Sequence, residues 1–269
     1  MTLARLDNEV FFKKALTDEI VFKAFVHDIL GIDVNPDKIE TEKAFQPKLG
    51  SINFKYDIFA EDIEKHVVIE IQKVEYDHNF DRFLHYHLQA ITEQQRTSDD
   101  YSVKKIVNTI VVITSPYKVS EKTGKVMKDE ILISTSNPKN FKNIERKIYN
   151  HELVFLNPNY KDLETPINYR DWLDLIYESI HHLDNPKINL NNAGVKRASE
   201  IANFDVIDPY EWEASKFAAA SRKTLIVERE QEKIEIAIKA IENGLDNKII
   251  STITDLSEEF IEILRNRKD

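Results

Sequence analysis

The chain has 269 residues, with 37 Lys and Arg against 47 Asp and Glu, a net charge of −10, and 42% hydrophobic residues. That composition supports a buried core and excludes global disorder. The length allows one large domain, or one of roughly 150–200 residues with an appendage. No cysteine is present, which excludes disulfide frameworks, thiolate zinc sites, iron–sulfur clusters and cysteine nucleophiles. No apolar run of signal-peptide or membrane-span length occurs, so a soluble, cytoplasmic protein with no membrane partner is expected. Five glycines and the lack of a Walker A or GxGxxG pattern argue against glycine-rich phosphate loops.

In chain order, the first 30 residues read as helix: Phe11, Phe12, Ala15 and Leu16, then Ile20, Phe22, Phe25, Ile29 and Leu30, recur at helical spacing. Gly31 follows as a C-terminal cap. A short strand is placed near residues 38–46. Residues 52–60 alternate, with Phe54, Tyr56, Ile58 and Ala60 on an apolar face and Asn53, Lys55 and Asp57 between them. Residues 66–72 alternate too, with Val67, Ile69 and Ile71 apolar and His66, Glu70 and Gln72 opposite. Phe80, Leu84, Leu88 and Ile91 then set a helix, and residues 106–113 form a β-branched run suited to a strand covered on both faces. Weaker strands are expected at 130–135 and 152–156, and helix from 169. An Asn- and Pro-rich stretch, 184–193, reads as a linker, and the charged helical tail from about 227 breaks at Gly244. The expectation is an α/β fold, a mixed sheet flanked by helices, with a helical C-terminal extension. Its organisation is a core domain at 1–183, linker and connecting helices at 184–226, and a helical segment at 227–269.

Charge is uneven. Residues 101–150 hold ten Lys or Arg against four Asp or Glu, a local +6 that leaves −16 elsewhere. Solvated loops account for this as readily as a surface that tracks a phosphate backbone.

The two alternating segments suit an antiparallel hairpin. A turn centred on Ile63-Glu64 sets Asp57 opposite Glu70 and Lys55 opposite Gln72, with the register pinned by the apolar face. Two acids held so close repel each other and raise a pKa unless a cation lies between them. Mg²⁺, or Mn²⁺ in its place, relieves that repulsion and activates water near a phosphate. The same spacing also suits two solvent-facing acids at a sheet rim. Arg82 and Tyr86 share one face of the following helix, where Arg82 suits a phosphate or a site carboxylate. His85 and His87, two apart on a helix, face different ways and make no zinc pair.

Asp57, followed by Glu70-Ile71-Gln72, resembles the PD-(D/E)XK nuclease signature. With Asn8-Glu9-Val10-Phe11-Phe12-Lys13, Tyr56-Asp57-Ile58 and Arg82-Phe83-Leu84-His85-Tyr86, the series resembles the recombination-promoting nuclease, or PD-(D/E)XK transposase, family. It covers roughly residues 5–115 and resumes weakly in the tail. The resemblance implies a restriction-endonuclease-like fold and a metal-dependent DNA endonuclease acting in recombination of mobile elements. In it, Asp57, Glu70 and the Ile71 carbonyl hold Mg²⁺, and Glu9 lines the cleft. The chain departs from the general signature at Gln72, where lysine is usual. Glutamine can orient a water but supplies no charge, and Lys55 across the hairpin is expected to supply part of it.

The competing expectation is a catalytically silent nuclease-fold protein acting as an interaction module, favoured by the overall acidity and by Gln72. Residues 257–265 follow a helix-turn-helix-like turn but hold Glu258, Glu259 and Glu262 with Arg265. A base-reading helix should be more basic, so packing or homo-oligomer formation is the expected role of the C-terminal helices.

Overall fold

The computed structural model describes residues 1–45, 54–72, 80–94, 102–117 and 127–266. They fall into two compact units, Met1–Trp212 and Glu213–Asp269.

The N-terminal helical signal resolves into two helices, α1 (Glu9–Leu16) and α2 (Glu19–Leu30), rather than one. The break has a local cause. Asp18 has an extended backbone and its carboxylate accepts the Ile20 and Val21 amides at 3.1 and 3.2 Å, restarting the helix. Asn8 caps α1 in the same way through Val10. Gly31 ends α2 at φ 65°, a left-handed conformation that glycine adopts without a Cβ clash.

Six strands follow: β1 (Lys38–Phe45), β2 (Phe54–Glu61), β3 (Lys65–Gln72), β4 (Ile106–Ile113), β5 (Ile131–Thr135) and β6 (Glu152–Leu156). They form one mixed sheet in the order β1-β2-β3-β4-β6-β5. β1, β2 and β3 run antiparallel in turn, β3–β4 and β4–β6 pair in parallel, and β5 returns antiparallel on β6. The protein is therefore α/β, a six-stranded mixed sheet flanked by helices. On one face Ile58, Ala60, Val67, Ile69, Ile71, Ile110 and Val112 share a core with α1, α2, α4 (Ile167–His181) and α5 (Ala193–Ile201). On the other, α3 (Phe80–Thr92) covers Tyr56, Phe59, Val68 and Val107.

Three expectations change. β2 is buried on both faces rather than on one apolar face, because helices cover each side; Tyr56, Ile58, Phe59 and Ala60 are all inside. α3 turns Phe83, His87 and Ala90 inward and leaves Leu84 and Leu88 exposed. A histidine can take an inward place because its Nδ1 lies 2.9 Å from Thr109 Oγ1 on β4. Finally, residues 184–212 pack within the first unit. Asn192 caps α5 and, with Asn189, donates to Asp171, while Asn192 and the Trp172 indole both donate to Asp28. The asparagines brace a core rather than solvate a tether, and Val195, Ala198 and Ala202 are buried in it.

The second unit holds most of α6 (Pro209–Glu242) with α7 (Asn247–Thr254) and α8 (Glu258–Asn266). Ala237, Ala240, Ile241, Ile250, Leu256 and Ile261 form its core. Gly244, at φ 76°, follows α6, and Asp246 caps α7. Among the described residues no helix is long and apolar enough to cross a membrane.

The buried His87 gives the core a pH dependence. Its imidazole is pushed down to about 4, first by burial and then by the charge His151 can carry. The unfolded chain takes up that proton near pH 6.5. Between about pH 6.5 and 4 the unfolded state therefore binds a proton that the folded state refuses, and stability falls with pH. Urea denaturation at pH 7 and 4.5 should show the wild type losing about 1–3 kcal/mol more than His87→Gln. Equal losses would place the histidine in a wetter site than the fold gives it.

Candidate active site

β2 and β3 pair in the register the sequence implies, through Glu61–His66, Ala60–Val67, Phe59–Val68 and Ile58–Ile69. The next positions along are Asp57 and Glu70, and there the regular ladder stops. The Asp57 amide donates to Glu70 Oε1 at 3.0 Å, and the Ile71 amide donates to Asp57 Oδ2 at 3.0 Å. Each carboxylate thus takes a main-chain amide of the opposite strand, and the strands part with the two acids between them.

The parting coincides with a change of phase in β2. Ile58 and Ala60 face the α1–α2 side, whereas Tyr56 and Phe59 both lie under α3, their rings stacked 6.1 Å apart. Strict alternation would put Tyr56 with Ile58. On the outer strand, Thr41 pairs with Ile58 and Lys43 with Tyr56, so Glu42 falls opposite Asp57. Glu42 has φ 57°, left-handed and outside regular pairing, which costs a non-glycine residue about 1–2 kcal/mol. Glu42, Asp57 and Glu70 therefore form one row across three neighbouring strands.

Cations reach this row from both faces. From α1, Lys13 Nζ lies 2.9 Å from Asp57 Oδ1 and also bonds Glu42, with its side chain only 11% exposed. From α3, the positive charge of Arg82 acts on Glu70. Arg82 Nε donates to the Tyr86 hydroxyl at 3.2 Å, with the guanidinium 5.1 Å from that ring's centre. The Tyr86 carbonyl accepts the Tyr56 hydroxyl at 3.0 Å, and the two rings meet edge to face at 5.7 Å. The residue beside Asp57 is thereby fastened to the helix that carries Arg82.

Glu70 is 2% exposed. Burial, and then the negative charge of Asp57, push its carboxyl well above the usual carboxylate range; the Asp57 amide, Arg82 and Lys13 pull it back only in part.

The sequence-predicted residues sort as follows. Asp57, Glu70 and the Ile71 main chain converge. Gln72 is half-buried one step further along β3, and its carbonyl accepts the Thr114 amide and hydroxyl of the loop after β4. Among the described residues its side-chain amide has no hydrogen-bond partner. Lys55 does not meet Gln72. It is 59% exposed and bonds Glu42, one residue removed from the acidic pair. Glu9 sits in the first turn of α1, one helical turn before Lys13. Arg82 and Tyr86 lie together on α3 as expected.

Two residues of the site, Lys13 and Glu42, are not singled out by the sequence. Lys13 appears in the sequence only as part of a helix motif, because its role comes from the packing of α1 against the strands that carry Asp57 and Glu42. Glu42 left no local trace, because its role comes from strand register.

Asp57, Glu70 and the Ile71 carbonyl offer hard oxygen donors. In an extended strand the N–H and C=O of one residue point to the same edge, so the Ile71 carbonyl follows its amide toward Asp57. Among the described residues no group of three or more His, Asp or Glu has the arrangement of a metal cage. Two carboxylates completed by waters and substrate oxygens are instead the manner of Mg²⁺. The donor set fits a hard divalent ion.

Compared with family models, curated proteins and solved structures, the chain matches none.

Glu70 should behave as a functional group held at a cost to stability. Its folded pKa is raised, so its contribution is complete below the unfolded carboxyl value and is lost as pH rises toward the folded one. Glu70→Gln keeps the acceptor for the Asp57 amide and removes the buried charge. Its melting temperature should exceed that of wild type at pH 8, by an amount that shrinks toward pH 4. Each pH unit between the two values is worth about 1.4 kcal/mol. A variant less stable than wild type at pH 8 would contradict this account.

Proposed function

We propose that the chain is a divalent-metal-dependent DNA endonuclease on a restriction-endonuclease-like core, the activity implied by its resemblance to PD-(D/E)XK nucleases. The single observation that supports this most is the reciprocal capping of Asp57 and Glu70 where β2 and β3 part. A structural ion pair needs one acid, and a rim needs solvent. Here two acids share a gap, with one of them sealed from water, and both can be ionised there only with positive charge supplied from outside the pair.

Asp57, Glu70 and the Ile71 carbonyl are the residues that would hold Mg²⁺ or Mn²⁺. When bound, the ion supplies Lewis acidity to a phosphate oxygen and makes water a better nucleophile. Gln72 accepts or donates a hydrogen bond to position that water. Lys13 supplies the fixed positive charge that Gln72 lacks, a part assigned to Lys55 on spacing alone. Arg82, braced by Tyr86, offsets the charge that grows on the phosphate as the bond to the leaving oxygen breaks. The link to mobile-element recombination rests on the family resemblance alone, and homo-oligomer formation through α6–α8 on the acidic character of the last helix.

One observation favours the silent interaction module. Lys13 already neutralises Asp57, as a cation would. The two readings separate on supercoiled plasmid. The nuclease nicks it with Mg²⁺ or Mn²⁺ but not with EDTA, and Asp57→Ala abolishes nicking. Lys13→Met slows it roughly 10- to 100-fold, and more than Lys55→Met does. Absence of nicking with either ion would leave the module reading standing.

Metal binding also has a readout independent of cleavage. Glu70 must lose its proton to accept the ion, so Mg²⁺ affinity measured by calorimetry should rise with pH and release a proton to buffer. Glu70→Gln should abolish that release; a pH-independent affinity would remove Glu70 from the ligand set.

A further inference from the structure

The segment joining β5 to β6 is exposed over residues 141–150 yet tightly built. Asn140 Oδ1 accepts the Lys142 and Ile144 amides, and Asn137 Oδ1 accepts those of Ile148 and Tyr149. The Arg146 amide bonds the Pro138 carbonyl at 2.8 Å, and Lys139 and Glu145 form an isolated bridge. Asn143 adopts a left-handed conformation at φ 61° to close the turn. These bonds hold out side chains that a loop evolved only for solubility would not carry. Phe141 is 91% exposed, with Ile144, Ile148 and Tyr149 also exposed around it.

Cations interleave with them: Lys139, Lys142, Arg146 and Lys147. Among the described residues none of the four closes an ion pair, although the protein carries an excess of acids. Glu145, the acid among them, accepts from the Thr135 hydroxyl and the Asn137 amide, both at 3.0 Å, and feels the charges of Lys139 and Lys147 without an ion-pair contact. Lys142 Nζ lies 5.6 Å from the Phe141 ring centre.

The knuckle is not part of the acidic site. It leaves β5 at Thr135 and enters β6 at Glu152, which pairs with Asn108 near the start of β4. Glu70 pairs with Val111 toward the other end. At about 3.3 Å per residue and 4.8 Å per strand, Glu152, where the knuckle ends, lies roughly 14 Å from Glu70. The basic stretch 101–150 is therefore not one patch. Lys118, Lys122 and Lys125 lie outside the described residues, and Lys105 is spent on Glu61 and the Asp62 carbonyl.

We infer that the knuckle at residues 137–149 is a second nucleic-acid contact, in which Lys142, Arg146 and Lys147 meet backbone phosphates and Phe141 stacks on or wedges beside a base. The polyanion is taken from the nuclease reading. Cations paired with an exposed planar ring are what phosphate and base together require. An apolar protein partner would not call for the unpaired charges, and a polyanion without bases would not call for the ring.

The test is fluorescence anisotropy of the full chain with a labelled duplex of about 30 base pairs, in EDTA, over a salt series. The variant Lys142→Glu/Arg146→Glu/Lys147→Glu should bind at least tenfold more weakly, and its log affinity should depend on log salt with a slope reduced by about 2–3. Phe141→Ala should lose at least about fivefold with little change of slope. Both sites are exposed, so thermal melts should match wild type. If these variants bind as tightly as wild type, the inference is overturned while metal-dependent nicking still stands or falls on Asp57. If they lose binding and Asp57→Ala still nicks plasmid, the active-site reading fails and the knuckle stands. Wild-type protein that binds no duplex, but associates with anionic vesicles or with itself through Phe141, also overturns it.

Discussion

The whole arrangement depends on a substitution of hydrogen-bond acceptors at one point in the sheet. Between Ile58–Ile69 and the next residues, β2 and β3 stop exchanging main-chain bonds, and each strand's amide is taken by a carboxylate of the other. A buried amide must be paired, so the acids are held by the need to satisfy the backbone. The backbone in turn can part only because the acids are there. Remove either carboxylate and a buried donor is left unsatisfied, at a cost of about 1–3 kcal/mol.

Two charges so close need compensation, and the layered fold supplies it from opposite faces. α1 delivers Lys13 to Asp57 and Glu42, and α3 brings the charge of Arg82 to bear on Glu70. Tyr56 ties the strand to α3 through the Tyr86 carbonyl, so the phase change in β2 and the placing of Arg82 are one structural event. Glu42, with its left-handed backbone, extends the acidic row to the third strand. Strain, a buried acid and interrupted pairing coincide at this row, and such costs persist where the surroundings enforce them and a function uses them.

The electrostatics of the rest of the unit are ordinary by comparison. In an acidic protein cations find carboxylates readily, as Lys14 does at Glu211, Lys161 at Asp174 and Arg197 at Asp18. The knuckle at 137–149 departs from this, because its backbone bonds consume the nearby polar groups and leave its lysines facing water.

Much of this was legible in the chain itself. Alternation and β-branching located all but the finest bounds of β2, β3 and β4, and the apolar positions of β3 set the register that brings Asp57 beside Glu70. Those features follow from a period of two, which is local. What the sequence could not carry was the partner of each residue. The inward stripe of α3 was misread because His87 is polar until Thr109 is placed beside it. The asparagines of 184–193 looked like solvent-loving loop residues until Asp28 and Asp171 were brought within hydrogen-bond range. The hairpin points to Lys55 and gives no sign of Lys13, because cross-strand distance can be counted along a hairpin, whereas the reach of a helix onto a sheet cannot. Local periodicity determined which residues are strand, helix and pair; only packing in three dimensions decided which cation answers which acid, since desolvation and charge act through space between segments distant in the chain.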